Sequence, residues 1–139
     1  MNTGVKTIIH IDDREEDIAL VKRVLDKQFD NAQVVSLNDS EQVVEEIRSG
    51  EFLKRRADLL LIDIKMPKIS GLELLEEFDS DPNYKKIPKV IFSSSTHPTD
   101  LENAYNHHVN SFVEKPKSFK DLKHVLLQTV DYWLNINLS

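Results

Sequence analysis

Five short apolar runs alternate along the chain with five longer amphipathic ones. The apolar runs are Val5–Ile11, Gln33–Leu37, Asp58–Ile62, Lys89–Phe92 and Ser111–Val113. In the third, Leu59, Leu60, Leu61 and Ile62 are apolar at every position. A strand with one face in water would alternate, so this run predicts a strand covered on both faces, as in a parallel sheet. The intervening segments have helical spacing. Ile18, Val21 and Leu25 line the first, with Leu20 and Val24 widening the stripe. Val43, Val44 and Ile47 mark the second, and Leu72, Leu75 and Phe78 the third. The fifth is expected to bury Leu122, Val125, Leu126, Thr129 and Trp133.

Helix ends are punctuated. Asp39 with Gln42, and Ser70 with Glu73, have the spacing of capping boxes, and Gly50 is a favoured residue just past a helix end. Asp81-Pro82-Asn83 should stop the third helix, because proline pushes the residue before it out of α geometry. Pro98 suits the first turn of the fourth, where a missing N–H costs nothing. Ser118 opens the fifth. Five β-then-α units predict an α/β domain with a parallel sheet and helices on both faces. Residues 1–139 read as a single domain, and the tail Leu134–Ser139 is too short for an output domain.

In such open sheets, ligands bind beyond the carboxyl ends of the strands. The first strand runs into Asp12 and Asp13, the third into Asp63 and Lys65-Met66-Pro67, the fourth into Ser93, Ser94 and Ser95, and the fifth into Lys115-Pro116. Packed carboxylates repel one another and burial raises the cost of ionising them. Lys115 offsets one charge. A hard cation with oxygen ligands would offset the rest, and Mg²⁺ binds through one or two carboxylates, waters and a phosphate. An ionised aspartate beside a cation can also act as a nucleophile and form an aspartyl-phosphate. Each residue has a plainer reading: Asp12-Asp13 as a helix cap or a metal pair, Asp63 as a loop acid, Lys115 as a surface lysine. Their joint arrival at strand ends favours the site.

Charge and composition narrow the function. The net charge of −6 argues against nucleic-acid binding, which needs cations to displace counterions from phosphates. Lys54-Arg55-Arg56 reads as a solvated loop. There is no cysteine, so no thiolate metal site. No apolar run approaches the ~18 residues of a membrane span, and a cytoplasmic protein is expected. His10 reads as structural. His107 and His108, about 100° apart on a helix end, read as neighbours of the helix C-terminus rather than as a metal pair.

Ile11-Asp12-Asp13, Leu61–Pro67 with Ser70–Leu75, Val90–Ser93 and Phe112–Pro116 together resemble the receiver domain of bacterial response regulators. The resemblance covers nearly the whole chain. It implies a CheY-like, flavodoxin-like doubly wound sheet of five strands in the order 2-1-3-4-5, with five helices. It implies a phosphoacceptor switch rather than a conventional enzyme, with Asp63 taking a phosphoryl group from a sensor histidine kinase or phosphotransfer protein. Asp12, Asp13, Asp63 and the backbone carbonyl of Lys65 would hold Mg²⁺, or Mn²⁺ in its place. Lys115 would grip the phosphoryl group, with a cis bond to Pro116. Ser93 and Phe112 would act as the switch, remodelling the face built by the fourth helix, fifth strand and fifth helix for a downstream protein target. Lys65 and Ser95 stand at positions that, in the family it resembles, modulate dephosphorylation, and the bulk of Lys65 is expected to slow it.

Ser93 and Phe112 stand where the family more often has Thr and Tyr. Tyr105, His107–Asn110 and Asp131–Leu134 resemble the single-domain regulators partnered with bacterial phytochromes. Trp133 and Leu134 are candidate apolar contacts of a homodimer, though core is the expectation for Trp133. Three other readings compete. A phosphatase of the haloacid-dehalogenase type would carry its nucleophile after the first strand. A flavodoxin-like electron carrier would need a phosphate-cradling turn where Asp12-Asp13-Arg14-Glu15 stand. A phosphorylation-independent pseudo-receiver scaffold is the strongest rival, against which Asp13, Asp63 and Lys115 stand intact.

Overall fold

A computed structural model describes residues 4–138. Five parallel strands, β1 (Lys6–Ile11), β2 (Ala32–Leu37), β3 (Leu59–Ile62), β4 (Lys89–Ser93) and β5 (Ser111–Glu114), form one sheet. Their order is β2-β1-β3-β4-β5, the doubly wound order expected. Helices α1 (Glu15–Gln28), α2 (Ser40–Ser49), α3 (Gly71–Asp79), α4 (Pro98–Asn106) and α5 (Phe119–Asp131) fill the crossovers.

The register explains the double burial. Ile11 pairs with Ile62, and Ile62 with Ile91. Successive side chains point to opposite faces. Ile9, Ile11, Leu60 and Ile62 therefore pack with Val43, Leu74, Leu75 and Phe78 of α2 and α3. Ile8, Leu59, Leu61, Val90 and Phe92 pack with Val21, Leu25, Leu126 and Val130 of α1 and α5. All four residues of β3 have no exposed surface.

The local signals act as read. The Asp39 carboxylate accepts from the Glu41 and Gln42 amides, and Gly50 adopts a left-handed φ of 87°. Ser70 and Glu73 form a reciprocal capping box. Ser118 accepts from the Asp121 amide.

Four expectations change. Lys54-Arg55-Arg56 is not a free loop: Glu51–Arg55 winds a short 3₁₀ helix that buries Phe52, and the Arg55 guanidinium donates to Glu46 at 2.7 and 2.9 Å. The fully buried residues of α5 are Leu126 and Val130, with Leu134 following in a π turn (Tyr132–Ile136), while Leu122, Val125, Thr129 and Trp133 are half-buried. The 126-130-134 spacing follows the i, i+4 ridge of a helix. Leu134 is thus core, and Trp133 lies against it, edge-on to Tyr132. Among the described residues every peptide bond is trans, Lys115–Pro116 included.

Candidate functional site

β1 and β3 are neighbours, so the residues after Ile11 and Ile62 emerge side by side. Asp12 follows β1 and is fully buried; Asp63 follows β3 and is 5% exposed. The Asp63 amide donates to the Ile11 carbonyl, which ties the two strand ends together. Its Oδ1 accepts from the Ile64 amide at 2.8 Å, leaving Oδ2 for Lys115. Gly71, the first residue of α3, closes the loop from behind. Its amide donates to the Ile64 carbonyl, and a Cβ there would fall 2.0 Å from the Asp63 carbonyl oxygen. Only a residue without a Cβ permits that approach.

Lys115 enters from the end of β5, where its amide donates to the Ser93 carbonyl. Its ammonium lies 3.1 Å from Asp12 Oδ2, 3.4 Å from Asp63 Oδ2 and 2.9 Å from Asp17 Oδ2. The site thus contains a residue that sequence reasoning missed. Asp17 is one of three acids in the first turn of α1, with Glu15 and Glu16. Such acids ordinarily complement a helix N-terminus, and only the arrival of Lys115 singles out the third.

The two carboxylates astride Lys115 respond in opposite directions. Burial, the largest influence on both, pushes each carboxyl up. For Asp63 burial prevails over the Lys115 charge, and its proton affinity stays above the ordinary value. For Asp12, the His10 ring, the Arg14 amide and Lys115 outweigh burial and hold the carboxyl at about 2. His10 Nε2 is 3.6 Å from Asp12 Oδ2, a range at which it acts through its charge or dipole rather than a formed hydrogen bond. Lys115 itself loses proton affinity to burial, but Asp63, Asp12 and Asp17 more than restore it.

Carboxylate oxygens of Asp12, Asp17 and Asp63 lie within 4.8 Å of one another. Asp13 is not in this trio. Its Oδ1 is nonetheless buried without a hydrogen-bond partner, an oxygen that a cation would satisfy. Three carboxylates face one ammonium, with the Asp13 oxygen unpartnered beside Asp12 in the chain, and every donor is a hard oxygen. That set fits a divalent cation of the Mg²⁺ or Mn²⁺ kind. Lys65 is exposed just beyond Asp63.

Ser93 is buried, and its Oγ accepts from the Ser95 amide at 3.2 Å. Ser95 is also buried and donates to Asp100 Oδ2 in the first turn of α4 at 3.1 Å. The Ser95 side chain is therefore committed to α4. Phe112 is half-buried, packed on the α3–α4 side of the sheet.

The histidine pair departs from its reading. His108 leaves the helix at a φ of 62°, and its Nδ1 lies 2.9 Å from Asp79 Oδ1, with His107 Nδ1 3.8 Å from Oδ2. Both rings converge on one α3 carboxylate because the backbone has turned, so the helical 100° no longer applies. They line a cavity of about 480 Å³ with Phe78, Lys85 and Lys89, at the opposite end of the sheet from Asp63.

Residues 8–127 match the model of the response regulator receiver domain. The chain belongs to the response regulator receiver family. Phosphorylation on an aspartate is the general function of that family, whose members are phosphoacceptor switches in two-component systems. The chain is 30% identical to response regulator Rcp1 of Synechocystis sp. over 93% of its own length and 89% of Rcp1. It is 31% identical to the probable methanogenesis regulatory protein FilR2 of Methanothrix harundinacea, over 95% of this chain and 86% of that one. The solved structure of the phosphorylated cyanobacterial phytochrome response regulator RcpA superposes with a TM-score of 0.89 at 31% identity, covering 97% of this chain and 98% of that one. The Mn²⁺-bound form of Rcp1 gives a TM-score of 0.86 at 29% identity, covering 96% and 97%. No helix among the described residues is long and apolar enough to cross a membrane.

Proposed function

We propose that this receiver is phosphorylated on Asp63 in a Mg²⁺-dependent reaction. One observation carries the reading: Asp63, at the carboxyl end of β3, accepts from the Lys115 ammonium on its Oδ2 at 3.4 Å. Asp12 and Asp63 would hold the cation, with the Asp13 oxygen and the Lys65 carbonyl as further ligands. The cation supplies positive charge against the transferring phosphoryl oxygens. Lys115 grips the same oxygens from the other side, and the Ser93 hydroxyl supplies a donor to them.

The donor in this reading is a phosphohistidine of a sensor kinase or phosphotransfer protein. The protein then acts in the cytoplasm as a switch without a substrate of its own. Ser93 is linked through Ser95 to Asp100 of α4. A phosphoryl group that draws the Ser93 hydroxyl toward Asp63 therefore pulls on α4. With Phe112 packed behind, the face of α4, β5 and α5 is what a downstream protein reads, or what pairs two copies. Exposed Tyr105 and Phe119 lie on those helices.

Incubation of the full chain with Mg²⁺ and acetyl phosphate, followed by intact mass spectrometry, is expected to add a single phosphate. The adduct should vanish without Mg²⁺ and in Asp63→Asn. A folded chain that never gains the mass fits the phosphorylation-independent scaffold instead. Lys65 stands exposed two residues beyond the nucleophile, and in this reading it obstructs the attacking water. Lys65→Asn should then shorten the lifetime of the adduct in the same measurement, and an unchanged lifetime rejects that role.

A further inference from the structure

The shortest contact Lys115 makes is with neither the proposed nucleophile nor its neighbour, but with Asp17 of α1. Lys115 lines a small cavity together with Asp17, Leu20, Val21, Phe92 and Leu122. Its ammonium sits 5.6 Å from the centre of the Phe92 ring, within range of a cation–π attraction. Glu15 and Glu16 are exposed, whereas Asp17 is turned in, its side chain 23% exposed. Its other charged neighbour, the exposed Arg14, is 4.0 Å away. The three N–H bonds of the ammonium are thus shared among Asp12, Asp17 and Asp63.

We propose that Asp17 is a positioning residue for phosphoryl transfer, anchoring the Lys115 ammonium opposite Asp63 so that the donor meets a preformed cation. The inference rests on the reading of Asp63 as phosphoacceptor. In that step an Asp63 carboxylate oxygen attacks phosphorus. The P–O bond to the acetyl group of acetyl phosphate breaks, and acetate leaves with the electron pair. No proton moves, and the total charge is the same before and after. Only the Lys115 contact with Asp63 has to change partner, to a phosphoryl oxygen, while those with Asp17 and Asp12 stay in place. A lysine carries a long flexible stem, and without Asp17 its head would be free to leave the edge. If Asp17 merely complements the α1 N-terminus, its loss would change stability and leave transfer untouched.

The test follows adduct formation by intact mass at saturating Mg²⁺, with Mg²⁺ affinity measured separately by titration calorimetry. Asp17→Asn, close to isosteric, should slow phosphorylation about fivefold, and Asp17→Glu should stay within about twofold of wild type. Mg²⁺ affinity should change less than about twofold, and Asp17→Asn should have no further effect in a Lys115→Ala background, because residues acting through one contact are not additive. An unchanged rate in Asp17→Asn overturns the inference, as does a loss that persists without Lys115. A fall in Mg²⁺ affinity that matches the fall in rate also overturns it, and makes Asp17 a metal ligand. A wild-type chain that takes no phosphate at all fails the Asp63 reading and this inference with it. A wild type that is phosphorylated beside an equally fast Asp17→Asn fails this inference alone.

Discussion

The two ends of helix α3 differ in kind. At its start, Gly71 presses against the Asp63 loop, where three carboxylates surround one ammonium and the Asp13 Oδ1 has no hydrogen-bond partner. At its other end, Phe78 meets Phe52 and Tyr84 in a cluster of three edge-to-face rings, with centroids 5.1 to 5.9 Å apart. All three rings are buried to within 1%. One end collects repelling charge that costs stability, and the other collects apolar area that supplies it. Strands β1, β3 and β4 run between them, so the apolar end holds in place the edge where like charges gather.

The largest break in that contrast comes from the apolar end. Phe78→Ala should cost about 3–5 kcal/mol, the range for deleting a buried ring. Urea unfolding measures it directly. A cost below about 1 kcal/mol would mean that the cavity collapses and that the ring cluster is no anchor.

What the sequence disclosed follows the same division. The strand–helix alternation, the caps at Asp39, Ser70 and Ser118 and the placing of Asp12, Asp63, Ser93 and Lys115 were all legible, because each depends on local spacing plus one topological rule. Asp17 was not, since helical phase cannot say which of three adjacent acids will meet a lysine arriving from β5. The partnership of His107 and His108 with Asp79 was hidden because it depends on one positive φ, at His108, and on the end of α3. Val130 and Leu134 are core where Trp133 was expected because they continue the i, i+4 ridge that starts at Leu126. The cis bond expected before Pro116 came from the resemblance, not from spacing, and the structure has it trans.

The charged edge can itself be divided. Asp12 has its carboxyl held at about 2, below the ordinary 3.8. A depressed carboxyl contributes stability above its unfolded value and loses it as pH falls through its folded value. Asp12→Asn should therefore destabilise the metal-free protein by about 2 kcal/mol at neutral pH. That difference should fade between pH 3.8 and about 2. Unfolding midpoints of both proteins at stepped pH give the comparison. A difference that persists at the acid end would assign Asp12 a packing role and not an electrostatic one.

Asp63 should give the opposite sign, and a smaller effect. Burial lifts its carboxyl above the ordinary value, so the fold favours the protonated form and ionised Asp63 costs stability. The proton-linked contribution is present at acid pH and lost as pH rises through the raised folded value. In metal-free buffer at neutral pH, Asp63→Asn should raise the melting temperature by roughly 2–5 °C for a domain of this size. The gain should shrink toward zero in acid, where wild-type Asp63 is already neutral. Mg²⁺ should shrink it from the other side, because a ligand that binds only the folded state stabilises the wild type and should lose affinity for a protein without the Asp63 charge. A lowered melting temperature in Asp63→Asn would mean that Lys115 alone balances this carboxylate. The edge would then be a satisfied ion-pair network, with no excess of negative charge for a cation to relieve.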